Sequence, residues 1–401
     1  MFTTRLLIVL LLTVPAGSIG YAQQPDSLFK VYNDFGGKNS DVTAQKISWL
    51  NETGDSYLAL ANYSKAFEYY SKALALTIKT GHKKKIATQH VRIANMHEQA
   101  AALNKALESY GRAIVIFDQL KDYSSIGVTY FTISRAYRNL SDFAHQLEYL
   151  QKSMKWYEKA GNHFELAKTY REVGYYYMNI GNNQRAVDFF LNALELFEKL
   201  GSQMQTAQVL GDLGHAYLLM KFTDQAFDYL QRALRLNQQI GNKSGMATNY
   251  WILGDYYFRI QMDLVSASDC FQKSLALFTE VGPKDRVAYV LLNIAEMYVV
   301  SPDSALVKAN MPVGEKKYLR AIDNQKKAIQ IFKEFSPESE RVGPLYNIMS
   351  AYLKINRYDS AYEYQTQYID LRDKIFGVEN QKDIVRLETR HERERYEDSL
   401  K

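Results

Sequence analysis

The 401-residue chain is poor in several things, and each shortage excludes a class of protein. It has one cysteine. Cys270 cannot close an intramolecular disulfide, so the fold has to be held by its core, and the thiol reads as a small buried hydrophobe. Seven prolines and no long polar tract leave no obvious disordered linker. Charge of either sign is not in large excess: 49 Lys and Arg face 44 Asp and Glu, a formal net charge of +5. That is far from a nucleic-acid footprint, and no nucleic-acid partner is expected. Catalytic constellations are also missing. The histidines His82, His90, His97, His145, His163, His215 and His391 are scattered, with no HExxH and no paired metal spacing. GDLGH at Gly211 to His215 has no preceding strand to make it a phosphate loop, and the carboxylates give no assignable acid–base pair. The expectation is a non-enzymatic chain without metal or cofactor.

Long apolar runs are scarce too. The one at the start, LLIVLLLTV from Leu6 to Val14, follows Arg5 and leads through Pro15 to GYA before Gln23. This reads as a secretory signal peptide over residues 1–22, too short to remain as a membrane span. No cysteine follows it, which disfavours a lipid anchor. The mature chain is expected to be exported, periplasmic or secreted, with no membrane insertion of its own after cleavage.

What the chain has in quantity is aromatic residues, 31 Tyr and 19 Phe, and a repeat. In LAKTYREVGYYYMNIGNNQRAVDFFLNALELFEKLGS, Leu166 to Ser202, two amphipathic helices flank a tight GNN turn at Gly181 to Asn183. Gly174 lies in the middle of the first helix, where glycine costs about 1 kcal/mol relative to alanine. Close approach of the second helix justifies it, with Ala186 keeping the facing surface thin and Tyr177 and Phe190 filling the space beside. The small position recurs every 40 residues as Gly54, Ala94, Ser134, Gly174, Gly214 and Gly254. Its companions are Tyr57, His97, Tyr137, Tyr177, Tyr217 and Tyr257, and then Ala66, Ala106, Gln146, Ala186, Ala226 and Ala267. The late arrival of Ala267 places a one-residue insertion in the turn QMDLVSA. A seventh copy follows with Ala295, Tyr298, Ala321 and Ala328, and an eighth with Tyr352 and Ala361.

This pattern resembles the tetratricopeptide repeat family, whose signature is matched in the first copy by Leu50, Gly54, Tyr57, Ala66, Tyr70 and Ala73. The usual period is about 34 residues. The surplus is expected in longer second helices and glycine-capped exits at KTGHKKK, KLGSQMQ and QIGNKSG. The resemblance implies an all-α, right-handed superhelical solenoid of about eight hairpins, spanning residues 41–376 behind an N-terminal cap segment, 23–40. The third copy, with Ser134 and Gln146, departs most, and its helix crossing is the least secure. The seventh carries extra residues near 299–318, interrupted by Pro302, Pro312 and Gly314, which read as a surface loop or a ligand-gripping insertion.

In that family the first helix of each hairpin lines the concave surface. The inward positions here include Arg92, Asn95, Arg135, Arg138, Asn139, Lys168, Arg171 and Tyr175, and further on Trp251, Asp255, Phe258 and Arg259. Basic and amide donors suit a carboxylate-bearing or acidic peptide, and Trp251 and Phe258 suit an apolar anchor. The leading expectation is an exported scaffold that holds a peptide or protein partner. The alternative comes from the charged helical tail, 377–401. The run DLRDKIFGVENQKDIVRLETRHERER resembles the junction of exported tetratricopeptide sensors in two-component systems, through Asp373, Phe376, Glu379, Asn380, Leu387, Glu388, Thr389 and Arg390. That resemblance implies a sensory region paired with a membrane-bound signalling partner.

Overall fold

The structure, a computed structural model, describes residues 40–375 and Gly377. The expected signal peptide and nearly all of the cap segment and of the charged tail lie outside the described residues. Those that are described are helical hairpins in succession. The first helices of the hairpins are α1 (Ser40–Ala59), α3 (Lys83–Gln99), α5 (Tyr123–Asn139), α7 (His163–Asn179), α9 (Gln203–Leu219) and α11 (Lys243–Tyr256). Their second helices are α2 (Tyr63–Lys79), α4 (Leu103–Gln119), α6 (Phe143–Ala160), α8 (Asn183–Lys199), α10 (Thr223–Gln239) and α12 (Leu264–Val281). The seventh hairpin pairs α13 (Lys284–Val300) with α15 (Glu315–Phe335) around a short α14 (Asp303–Lys308). The eighth consists of α16 (Val342–Lys354) and α17, 358–375. Two compact units divide the chain after Thr169.

The 40-residue period has a different origin from the one expected. In the second, fourth and fifth hairpins the second helix is no longer than the first, since α3, α4, α7, α8, α9 and α10 each have 17 residues, whereas the second helices α6, α12 and α15, of 18, 18 and 21 residues, exceed α5, α11 and α13, of 17, 14 and 17. In the equal hairpins the surplus is shared between both helices, and from Ala61 to Gly241 turns inside hairpins match turns between them. At each turn one residue takes a left-handed conformation, at Ala61, Gly81, Ala101, Lys121, Ser141, Gly161, Gly181, Gly201, Lys221 and Gly241, a spacing of 20 residues. The following N–H closes the preceding helix, as in Asn182 to the Tyr177 carbonyl at 2.8 Å and Phe222 to the Tyr217 carbonyl at 3.0 Å. The same residue often opens the next helix: Asn62, Asp122, Asp142, Asn182 and Asn242 accept from the backbone N–H three residues on. Gly81, Gly201 and Gly241 are the glycine exits that the sequence suggested.

In the first unit, α1 and α2 cross where Gly54 leaves room. A Cβ there would stand 2.5 Å from the Tyr70 ring. Leu50, Tyr57, Ala66, Tyr69, Tyr70 and Ala73 form the core of that hairpin, with Ile93 and Met96 of α3 packed on it. The third hairpin crosses closely despite its substitutions. Ser134, Gln146 and Leu150 are all buried, and the Ser153 hydroxyl donates to the Gly127 carbonyl at 2.9 Å. Gly127 supplies the clearance about two turns earlier in α5, where a Cβ would meet Tyr157 at 2.8 Å. Tyr57 stacks on Tyr69 and Tyr137 on Tyr149, with centroids 5.5 and 5.3 Å apart.

In the second unit the clearances recur. A Cβ on Gly174 would run into Phe190, and one on Gly214 or Gly254 would lie 2.6 Å from Leu230 or Phe271. Tyr177 stacks on Phe189 and Tyr217 on Tyr229, at 5.5 and 5.4 Å. The inserted residue of the sixth hairpin lies upstream of its expected place. α11 ends in a π turn, Tyr257–Gln261, and the closing bond runs from Asp263 N to the Tyr257 carbonyl at 2.9 Å, one residue longer than elsewhere. The left-handed residue is accordingly Met262. The seventh-hairpin insertion is folded onto the core. Leu306 of α14 is fully buried among Leu264, Phe271, Ala328 and Phe332, and Lys317 is anchored by the Ser301 carbonyl at 3.0 Å and Asp303 at 2.8 Å.

Candidate binding surface

The residues predicted to face a ligand all lie on first helices or at their ends. In the first unit, Arg92 of α3 reaches back one repeat. Its Nη1 donates to both oxygens of Asp55 on α1 at 2.7 Å, and the Tyr70 hydroxyl donates to the same carboxylate at 2.6 Å. Burial, and after it Asp55, pushes the Tyr70 phenol well above its ordinary range. Asn95 Oδ1 accepts from the Tyr110 hydroxyl at 2.6 Å. Lys168 is held by Glu165 at 2.9 Å. Arg135 and Asn139 are exposed and Arg138 is half-buried. Among the described residues Arg135 takes no ion-pair partner.

In the second unit, Arg171 and Tyr175 of α7 meet α9. The Arg171 guanidinium donates to Asp212 at 2.5 Å, to Gln208 at 3.1 Å and to the Tyr175 hydroxyl at 2.8 Å, and that hydroxyl donates to Asp212 at 2.6 Å. Burial opposes the charge on Arg171, but Asp212 more than compensates and raises its pKa further. Three residues along α9, burial holds the His215 imidazole below its ordinary range, against the pull of Asp212 and Asp255. Arg259, carried by the π turn, donates to Asp255 at 2.5 Å and across the repeat to both oxygens of Glu296 at 3.0 and 2.7 Å. Trp251 is half-buried and stacks on Tyr289 of α13, with centroids 6.2 Å apart.

Two expectations need correction. The donors do not form a basic surface, because Arg92, Arg171 and Arg259 are bound by Asp55, Asp212 and Glu296. Phe258 is 8% exposed and packs in the core beside Leu264 and Phe271, so it is not available as a ligand anchor. The widened turn that carries Arg259 outward turns the residue before it inward. The acidic partners went unread in the sequence, and with them Gln208, Tyr289 and Asn293. A signal for them was present: the pairs Asp55/Arg92, Tyr175/Asp212, Arg171/Gln208 and Arg259/Glu296 are each 37 residues apart, three short of the period. That offset is the distance between facing turns of successive first helices.

Known proteins supply the frame for this arrangement. Residues 128–160 and 165–239 match family models of the tetratricopeptide repeat. No curated protein matches the sequence. Among solved structures the fold is similar to that of a signal transduction ATPase with numerous domains, a protein with a tetratricopeptide repeat sensor, from Pyrococcus horikoshii. The TM-score is 0.55 at 16% identity, covering 90% of this chain and 54% of that one. It is also similar to aspartyl phosphate phosphatase F from Bacillus subtilis, at a TM-score of 0.53 and 11% identity over 88% of this chain and 91% of that one. A Rap protein complexed with Competence and Sporulation Factor aligns with a TM-score of 0.50 and 12% identity over 89% and 94% of the two chains. At these identities the likeness concerns the fold. The chain carries tetratricopeptide repeats and has an all-α fold of the tetratricopeptide solenoid type.

Proposed function

We propose that the chain is a non-enzymatic scaffold that binds a peptide or protein segment along its first-helix surface. The observation that carries this is the division of labour within each repeat. Small and aromatic packing residues are consumed in the hairpin cores, while first-helix side chains outside the core, among them Arg92, Arg171 and Arg259, are held in fixed positions by Asp55, Asp212 and Glu296 one repeat away. A surface fixed in advance loses little entropy on binding, and a helical solenoid offers such a surface over many repeats. The Rap protein, a structure of similar fold, is complexed with Competence and Sporulation Factor. The apolar start of the sequence supports export, with the partner met in the periplasm or outside the cell.

The second reading, a sensory region working with a membrane-bound signalling partner, is supported by the helix 358–375, which leads directly into the junction-like run. In that case ligand binding would change how successive repeats pack and so displace the end of α17.

The scaffold reading is tested by partner capture with cross-linking from an extracytoplasmic extract, the partner being identified by mass spectrometry. Replacing Arg135 and Lys168 with Glu reverses one exposed and one half-buried charge without opening a cross-repeat pair. Capture of the identified partner should fall while helical circular dichroism and melting stay the same. Unchanged capture would remove these residues from the surface.

A further inference from the structure

Trp251 and Tyr289 lie on consecutive first helices with their ring planes inclined by only 19°. Both polar ends of this pair are pinned. With the Asn293 amide turned so that its oxygen faces the indole, Trp251 Nε1 donates to that oxygen at 3.3 Å and the Asn293 nitrogen donates to the Tyr289 carbonyl at 3.1 Å, and the Tyr289 hydroxyl donates to Glu340 at 2.8 Å. Phe332 meets the Tyr289 ring edge-on at 5.3 Å. Both rings are half-buried, so each keeps part of its surface open. Arg286, one turn before Tyr289, is exposed and places its guanidinium carbon 5.8 Å from the Trp251 ring centre. Among the described residues Arg286 has no carboxylate partner, whereas Arg171 and Arg259 of the same unit are bound by Asp212 and Glu296.

A rigid aromatic wall beside an unpaired guanidinium is a specific combination. From it we propose that Trp251, Tyr289 and Arg286 form a subsite for a peptide segment in which an aromatic residue adjoins an acidic one. The ring lies against Trp251 and Tyr289, and the carboxylate takes the fork of Arg286. The guanidinium already over the indole repels a cationic guest, which separates this site from an aromatic cage for ammonium groups. An aliphatic guest would gain burial without the ring contact. The inference rests on the scaffold reading and names an occupant for part of its surface.

The probe is the labelled peptide acetyl-Gly-Phe-Asp-Gly-amide, titrated against the purified full chain by fluorescence anisotropy. Saturable binding is expected. It should weaken about tenfold or more in Trp251→Ala, in Arg286→Gln, and when Asn or Ala replaces the probe's Asp or Phe. Trp251→Phe keeps a ring and should retain most of the binding, which separates loss of the wall from loss of the fold. Lys273→Gln on α12 should bind like the parent. No binding by the parent, binding unchanged in both Trp251→Ala and Arg286→Gln, or equal binding of the Asn probe would overturn the subsite. If the subsite fails while Trp251→Ala and Arg286→Gln still capture the natural partner, the scaffold reading stands.

Discussion

A ring occupies the place of the missing side chain at Gly174. Because a Cβ there would run into Phe190, alanine should destabilise the protein although it is the better helix former. Overpacking a closed core costs about 1–3 kcal/mol. Gly174→Ala should therefore lower the denaturation midpoint, and Phe190→Leu added to it should restore part of the loss. Equal or greater stability in Gly174→Ala would refute the assigned crossing. His215 provides a test at the same scale through pH. Burial holds its folded-state pKa below the ordinary 6.5, so the unfolded chain takes up the proton first as pH falls. Stability from this group is complete above about 6.5 and is lost below it, down through the folded pKa. Denaturation of the parent and His215→Gln at pH 7 and pH 5 should show the smaller loss in the variant. A larger loss would reverse the sign. Much at this scale was legible in the sequence: Gly54, Gly174, Gly214 and Gly254 announced the crossings and Ala66, Ala106, Ala186 and Ala226 the facing surface. Asp212 was not, because pairing with Arg171 and Tyr175 depends on which turns of two successive first helices face each other, and no local motif encodes that.

Helices and turns obey a stricter rule than the repeat pattern showed. A left-handed residue stands every 20 residues from Ala61 to Gly241, but only five of these ten positions are glycine. The turns at Ala61, Ala101, Lys121, Ser141 and Lys221 were hidden because their residues carry no turn signature, and the conformation is imposed by the helices on either side. A residue other than glycine or asparagine in that conformation costs about 1 kcal/mol or more. Lys121→Gly and Lys221→Gly should each raise the unfolding free energy by up to about 1 kcal/mol, partly offset by the greater freedom of glycine in the unfolded chain. Chemical denaturation measures this, and destabilisation in both would contradict the shared turn geometry. The sixth hairpin shows why its insertion was misplaced. Alignment on Ala267 detects one extra residue but cannot tell a longer turn from a π turn, since both delay the second helix equally. The seventh insertion read as a loop because Pro302, Pro312 and Gly314 dominate it. Leu306 became interpretable only once the core of α12 and α15 was there to receive it.

At the scale of the whole molecule, each of the two units is a succession of hairpins whose interior is accounted for by packing, with first helices tied across a repeat by Arg92 and Asp55 in the first unit and by Arg171 and Asp212 and by Arg259 and Glu296 in the second. The period and the predominance of aromatic packing residues made the fold class readable from the sequence. The character of the surface was less readable, because arginines counted as free donors are mostly committed to acids one repeat away. Arg135 remains the exposed exception among them, and the proposed binding also uses Arg286, an exposed arginine that the sequence reading did not single out. The most direct test is hydrogen exchange of the full chain with and without its captured partner. Protection concentrated on α5, α7, α9, α11 and α13, with second helices unchanged, is the predicted result. Protection confined to the exposed faces of α4, α6, α8, α10 and α12 would place binding on the opposite surface and contradict the account.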